Sequence, residues 1–143
     1  MRLPQILVLI QFSCILGLIW LNGAFAQTII WLGVQIAAIA LGLWAIAVVR
    51  LPHLSIFPAP KAQAELRTNG PFRLIRHPMY AAVLLYCAGV AFEHFSIPNS
   101  VLFLVLSIDL LVKLNYEEGL LASHFPTYSD YQKRSKRLIP WIW

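Results

Sequence analysis

Long uninterrupted apolar runs dominate the hydrophobicity pattern of this chain. The run from Thr28 to Val49, TIIWLGVQIAAIALGLWAIAVV, contains no charged residue, and the run from Ile6 to Ala26 has three polar interruptions. A third run extends from Met79 to about Ile97. A fourth, from Val101 to Val112, is too short to span alone and is predicted to continue as one helix into KLNYEEGLLASHF. Because about 20 apolar helical residues cross the hydrocarbon of a bilayer, the pattern predicts about four transmembrane helices.

Composition agrees with a membrane setting. The chain has 143 residues, of which 59% are hydrophobic and 12% charged, and its mean hydropathy is +0.71. A soluble domain of this size could not bury so much apolar surface. We therefore predict an all-α integral membrane protein in which residues 1–50 form two N-terminal transmembrane helices. Residues 51–143 are predicted to form one structural unit: a loop, a hairpin of the last two transmembrane helices, and a C-terminal tail.

The N-terminal segment has a second interpretation. It combines a basic start, an apolar middle and the sequence Ala-Phe-Ala, a pattern that resembles a cleavable signal peptide. The apolar part is long for a signal, and another full span follows at once, which favours a retained first helix. Asn22-Gly23 is then predicted to form a tight turn between two antiparallel helices.

The distribution of basic residues predicts the orientation. Basic residues are concentrated in the connection between the second and third spans and in the tail: Arg50, Lys61, Arg67, Arg73 and Arg76, then Lys133, Arg134, Lys136 and Arg137. The first connection has no charge, and the third has only Glu93. The long connection, the tail and both termini are therefore predicted to be cytoplasmic. The net charge of +5 fits this orientation and attraction to anionic headgroups, so nucleic-acid binding is the weaker interpretation.

A polar cluster comes just before the third apolar run, in the sequence RLIRHPMYAAVLLY. Pro78 has no N–H and suits the first turn of a helix, so a helix is predicted to begin at or near His77. His77 and Tyr80 are three residues apart and would share a face. Unpaired N–H groups at this exposed helix start, beside Arg73 and Arg76, would form a site that favours an anion. The alternative is that the arginines extend to headgroups and His77 is an interfacial polar residue.

Carboxylates recur where the fourth helix would leave the membrane. Asp109, Lys113 and Glu117 repeat every four residues and are predicted to lie on one helix face, with Glu118 pointing away from it. Lys113 can neutralise Glu117 within the helix, whereas Glu118 has no such partner. Glu118 is therefore expected to contact a ligand ammonium directly, and Glu117 to fix the helix through Lys113. The alternative is an ion-paired helix end with Glu118 in solvent.

The tail adds Tyr128 and Tyr131, a basic cluster and the sequence LIPWIW, whose tryptophans are expected to be interfacial anchors. The helix start would supply groups that bind an anion, and the fourth helix would supply carboxylates, both on the cytoplasmic side. A zwitterionic ligand with a carboxylate, an ammonium and an aromatic base, such as S-adenosylmethionine, would satisfy both. A nicotinamide or a phospholipid headgroup would satisfy them as well.

The order of these motifs resembles the isoprenylcysteine carboxyl methyltransferase family and its phospholipid methyltransferase relatives. From Thr68 to Pro140 the chain reads Gly-Pro-Phe-Arg, Arg-His-Pro-Met-Tyr, a hydrophobic hairpin, Glu-Glu-x-x-Leu, then Phe, Tyr, Tyr and Ile-Pro. The resemblance implies an S-adenosylmethionine-dependent membrane methyltransferase of the carboxyl O-methyltransferase type, with residues 51–143 as its core and its active site facing the cytoplasm. The cofactor-binding residues that it implies are Arg76, His77, Pro78, Tyr80, Glu117, Glu118, Tyr128 and Tyr131.

The resemblance also implies a lipophilic small-molecule or lipidated acceptor, and the sequence leaves open whether that acceptor is a carboxylate, an amine or a thiol. Two other classes remain: a membrane reductase of the sterol type that uses NADPH, and a small non-enzymatic scaffold or transport subunit. The sequence contains no Gly-x-Gly, which argues against a soluble Rossmann methyltransferase. Four scattered histidines without close ligand spacing do not predict a metal site.

Overall fold

A computed structural model describes residues 3–49 and 66–143. Residues 50–65, which are most of the predicted loop between the second and third spans and include Arg50 and Lys61, lie outside the described residues. The described helices are α1 (Leu3–Asn22), α2 (Ile29–Val49), α3 (Pro78–Glu93), α4 (Ile97–His124) and α5 (Tyr128–Arg134), with a 3-10 turn at Gly70–Arg73. No strand is present in these two ranges beyond one isolated bridge, so the prediction of an all-α membrane protein is confirmed.

Among the described residues, three helices are long and apolar enough to cross a membrane: α1, α2 and α4. The fourth apolar helix, α3, has 16 residues and a length of about 24 Å. The predicted third run was therefore too long, because α3 ends at Glu93 and Ile97 belongs to the next helix. Pro98 in the first turn and Ser96 as the N-cap explain the start of α4. As predicted, α4 continues without a break from its apolar half into its polar half.

The chain turns at Gly23, as predicted, but the connection between α1 and α2 is longer than a tight turn and spans residues 23–28. α1 ends at Asn22, and Gly23 has a φ of 85°, a backbone conformation that glycine adopts without strain. The buried Gln35 of α2 fixes this connection, because its amide donates to the carbonyl of Ala24 at 3.2 Å and accepts from the N–H of Ala26 at 2.8 Å.

The end of α3 is joined to the start of α2 by one carboxylate. Glu93 Oε1 accepts hydrogen bonds from the backbone N–H groups of Gln27 and Thr28, each at 2.6 Å. These N–H groups lie just before α2, where the helix dipole favours a negative charge. Glu93, the one charged residue that the sequence assigns to the connection between the third and fourth spans, therefore binds the start of α2 at this end of the bundle.

The helices pack as two main pairs, α2 with α3 and α1 with α4, and α3 also contacts α4 and α1. The α2–α3 contact is close: a Cβ added at Gly89 would lie 2.6 Å from Gln35 Cγ and 3.2 Å from the carbonyl oxygen of Trp31. The main buried cluster lies between α1, α3 and α4 and consists of Cys14, Leu18, Cys87, Val90, Ala91, Leu106 and Leu110. Large apolar side chains on the outer faces are exposed, as expected for surfaces that contact lipid.

The chain after α5 turns back and runs beside the segment that leads into α3. The N–H of Lys136 donates to the carbonyl of Leu74 at 3.1 Å, and the N–H groups of Arg76 and His77 donate to the carbonyls of Lys136 and Arg137 at 2.7 and 3.1 Å. The tail is thereby fixed against the start of α3, at the end of the bundle where α4 also terminates. This arrangement places the polar residues of α3, α4 and the tail together.

Candidate functional site

The polar site begins where α3 starts. Pro78 is the first residue of α3 and His77 its N-cap, as the sequence predicts. His77 is nevertheless buried, and its N–H and that of Arg76 are used by the tail. The helix start is therefore buried and not exposed as predicted, and the anion that lies against it is the protein's own carboxylate, from Glu118.

Glu118 is a buried carboxylate with three basic neighbours. Its Oε1 atom accepts from Arg76 Nε at 2.6 Å and lies 3.3 Å from His77 Nε2, and its Oε2 atom lies 3.2 Å from Arg137 Nε. The expectation that Glu118 has no partner is wrong. Helix spacing identifies only partners within α4, whereas all three neighbours come from the start of α3 and from the tail.

Glu117 is the more open carboxylate of the pair. Its side chain is 29% exposed, and its Oε2 accepts from the Tyr80 hydroxyl at 2.7 Å and lies 3.7 Å from His77 Nδ1. Lys113 does not form the expected ion pair with it: the Lys113 ammonium donates to Gln11 Oε1 at 2.8 Å and lies 5.6 Å from the centre of the Tyr80 ring. The rings of His77 and Tyr80 are stacked with centroids 5.4 Å apart, which confirms their shared face.

Arg76 joins the helix start to the end of α5. Besides its contact with Glu118, its Nη1 donates to the carbonyl oxygens of Gln132 and Ser135, the first at 3.2 Å. These carbonyls lie at the C-terminal end of α5, where a cation is favoured. Arg73, by contrast, is exposed in the 3-10 turn and lies outside this cluster.

The two predicted tail tyrosines are both buried at the site, with ring centroids 5.9 Å apart. The Tyr131 hydroxyl donates to the carbonyl of Phe72 at 2.6 Å. The Tyr128 hydroxyl has no hydrogen-bond partner within the described ranges. Burial raises the pKa of Tyr131 to about 12, and burial together with the Glu118 charge raises the pKa of Tyr128. Both hydroxyls therefore keep their protons at neutral pH.

Sequence reasoning missed two residues of this region. Arg137 was recognised only as a basic orientation signal, yet it contacts Glu118 and lies 5.3 Å from the centre of the Trp143 ring. Gln11 of α1 receives the Lys113 ammonium across the bundle. Neither contact follows a helix or strand period, so no spacing in the sequence could have indicated it.

The arrangement leaves one carboxylate able to bind a positively charged group. Glu118 is balanced by two arginines, which leaves Glu117 as the carboxylate able to receive a cation. The unpaired hydroxyl of Tyr128 offers a donor and an acceptor beside it. In the part of the chain that the structure describes, no three His, Cys, Asp or Glu side chains are grouped to hold a metal ion.

Comparison with known proteins identifies the family to which this chain belongs. Residues 23–128 match the family model described as phospholipid methyltransferase. The nickel-cobalt-cadmium resistance protein NccN of Alcaligenes xylosoxydans xylosoxydans is 26% identical over 122 residues, covering 85% of this chain and 52% of that protein. The cobalt-zinc-cadmium resistance protein CzcN of Cupriavidus metallidurans is 27% identical over 105 residues, covering 71% and 49%.

A third similar protein is the methanethiol S-methyltransferase of Pseudomonas deceptionensis, 28% identical over 131 residues, covering 84% of this chain and 47% of that protein. The chain thus spans about half the length of the curated relatives it matches. No solved structure matches it significantly.

Proposed function

Because this chain belongs to the phospholipid methyltransferase family, we propose that it uses S-adenosylmethionine to methylate a lipophilic acceptor. S-adenosylmethionine supplies a methyl group bound to a positively charged sulfonium. The observation that supports this proposal most directly is the convergence of the start of α3, the Glu117–Glu118 pair and the tail on one polar site at the end of an apolar helix bundle.

The residues at this site fit the polar groups of that cofactor. Glu117, partly exposed and held by the Tyr80 hydroxyl, would receive the ammonium of the methionine part. Tyr128 would hydrogen-bond the ligand through its unpaired hydroxyl. A buried polar group without a partner costs free energy, so a ligand that satisfies it gains affinity.

The other predicted site residues would hold these contacts in position. Glu118 fixes Arg76 and His77, and Arg76 in turn fixes the end of α5. Pro78 sets the first turn of α3, and Tyr131 ties α5 to the 3-10 turn through the Phe72 carbonyl. Alignment of the two reactants is the main requirement of methyl transfer, and rigid neighbours provide it.

The acceptor would enter from the bilayer. An apolar groove of about 260 Å³ lies between α1, α2 and α3, and residues that line it include Ile15, Gly42, Ile46, Met79, Ala82 and Val83. Met79 lies in the first turn of α3, so the groove reaches the end of this helix at which the polar site lies. A lipophilic acceptor would use this side, while the polar cofactor would arrive from water. The basic residues around the site favour a cytoplasmic position for that aqueous side under the positive-inside rule.

The type of acceptor decides what else the protein must do. A carboxylate acceptor, the type that the sequence resemblance implies, is ionised at neutral pH and needs no general base. An amine or a thiol must lose a proton, so a base has to be available. In each case the removal of water from the site favours a reaction in which opposite charges cancel.

Titration of the purified protein with S-adenosylhomocysteine, and separately with NADPH, tests the proposal. We expect saturable binding of S-adenosylhomocysteine and none of NADPH. The opposite result would favour a sterol-type reductase, and binding of neither would favour a non-enzymatic subunit. A methylation assay with labelled S-adenosylmethionine and lipophilic acids, amines and thiols would then identify the acceptor class.

A further inference from the structure

Asp109 is a carboxylate in the interior of the bundle that no donor of the protein satisfies. It lies in α4 with 4% of its surface exposed, and neither of its oxygens has a hydrogen-bond partner within residues 3–49 and 66–143. Lys113, one turn further along α4, donates to Gln11 of α1 at 2.8 Å instead of pairing with it. The methyl-transfer site described above makes no use of this carboxylate.

The two buried amide side chains of the bundle are satisfied. Asn99 exchanges hydrogen bonds with Asn22 at 2.9 and 3.1 Å, and Gln35 binds the backbone of the α1–α2 connection. An unpaired carboxylate inside a membrane helix is costly, and such residues mark functional sites. Hydrogen bonds within the bundle explain why the two amides are buried, whereas no such contact explains the burial of Asp109.

The position of Asp109 connects it to the polar site. It precedes Glu117 by eight residues, a rise of about 12 Å along α4 toward the bilayer centre. Lys113 lies between them, beside the Tyr80 ring. The Asp109 carboxylate interacts electrostatically with Lys113 on α4, Cys14 on α1 and Tyr80 on α3. A ligand group here would meet a carboxylate that lacks a donor, within the apolar layer and about 12 Å deeper than Glu117.

Resting on the proposed function, we infer that Asp109 accepts the proton of the methyl acceptor, which is therefore a thiol or an amine and not an acid. The acceptor's lone pair forms the new bond to the methyl carbon, and the methyl–sulfur bond breaks with its electron pair remaining on sulfur. The proton of the acceptor's S–H or N–H passes to the Asp109 carboxylate, which later releases it. A carboxylic acid acceptor would bring a second negative charge to this position and would be repelled.

Three acceptors of equal chain length test this inference: dodecanethiol, dodecylamine and dodecanoic acid, assayed with labelled S-adenosylmethionine. Asp109→Asn keeps the shape of the side chain and removes the base. Asp130→Asn is the matched control, because Asp130 is an exposed residue whose partner is Lys133, at 3.0 Å. We expect the wild type and the control to methylate the thiol or the amine, and Asp109→Asn to be about 100-fold slower or worse.

Two further measurements separate a base from a structural residue. The defect of Asp109→Asn should shrink as pH rises and the acceptor loses its proton without help. In cofactor-free protein in nanodiscs, dodecylamine should bind about tenfold more weakly to Asp109→Asn than to Asp130→Asn, with empty nanodiscs subtracted. The melting temperature of Asp109→Asn should not fall, since the change removes a buried charge.

The outcomes separate the inference about Asp109 from the proposed function on which it rests. If S-adenosylhomocysteine binds but dodecanoic acid alone is methylated, or none of the three acceptors is, the inference is wrong and the proposed function stands. A rate for Asp109→Asn equal to that of the control, or a pH-independent defect, also overturns it. Failure of S-adenosylhomocysteine to bind the wild type would overturn the proposed function itself.

Discussion

Glu117 and Glu118 are adjacent in the sequence and differ in every structural respect that matters for binding. Glu118 is buried between Arg76 and Arg137, whereas Glu117 is partly exposed and receives one hydroxyl. Their expected environments were the reverse of this. The reason lies in the tail, which brings Arg137 to Glu118 from outside the helix, while Lys113 turns toward α1.

Glutamine substitutions of the two residues should therefore have opposite effects. Glu118→Gln leaves two arginines without their buried counter-charge and should lower the free energy of unfolding by about 3 kcal/mol. Glu117→Gln should melt like the wild type but bind S-adenosylhomocysteine tenfold more weakly or worse, a loss of about 1.5–3 kcal/mol. Thermal melting and calorimetry of both variants test this; unchanged affinity of a well-folded Glu117→Gln would contradict the role proposed for Glu117.

The two tail tyrosines offer a matched pair of the same kind. Tyr131→Phe removes the hydrogen bond to the Phe72 carbonyl and should cost about 1 kcal/mol of stability. Tyr128→Phe removes a hydroxyl that has no partner within the described residues, so stability should be unchanged or improved. Affinity for S-adenosylhomocysteine should fall roughly fivefold in Tyr128→Phe, since about 1 kcal/mol of ligand contact is lost. Equal affinity in that variant would show that the ligand does not reach Tyr128.

At the scale of elements, the third helix is the one whose extent the sequence misjudged. The apolar run of the third span continues into the first residues of α4. The helix itself does not continue, because Pro98 is tolerated in the first turn of a helix but not in its interior. The resulting α3 is short, and it positions the site by packing closely on α2 at Gly89. The site therefore depends on a helix–helix contact remote from any of its polar residues.

Alanine substitutions at two glycines test that contact. Gly89→Ala places a Cβ 2.6 Å from Gln35 Cγ and should lower stability by about 1–3 kcal/mol. Gly33→Ala is the control on α2, since a Cβ there meets nothing within 4 Å; its stability should be unchanged or higher because alanine favours a helix over glycine. Melting temperatures in detergent should separate the two, and equal values would show that the α2–α3 contact adapts.

At the scale of the whole molecule, the site occupies one end of the bundle: the end where α2 and α4 terminate and α3 begins. The basic residues of the tail, Lys133, Arg134 and Lys136, lie exposed at the same end. This end is expected to face the cytoplasm, where positively charged segments are retained. At the other end, Glu93 is bonded to the start of α2 and adds no positive charge.

Cysteine labelling in intact cells tests that orientation. A Trp143→Cys variant should react with a membrane-impermeant maleimide only after lysis, whereas Gln27→Cys, exposed in the α1–α2 connection, should react from outside. The native Cys14 and Cys87 are buried and should contribute little background. Labelling of the tail cysteine in intact cells would contradict the proposed orientation.

The sequence by itself determined the all-α membrane fold, the turn at Gly23, the start of α3 at Pro78 and the shared face of His77 and Tyr80. These features depend on local properties: apolar run length, the missing N–H of proline, the backbone freedom of glycine and the helical period. The tertiary structure decided which charges meet. Arg137 with Glu118, Lys113 with Gln11, and Asp109 without a donor all depend on contacts between elements far apart in the chain, and neither residue spacing nor composition specifies how such elements approach.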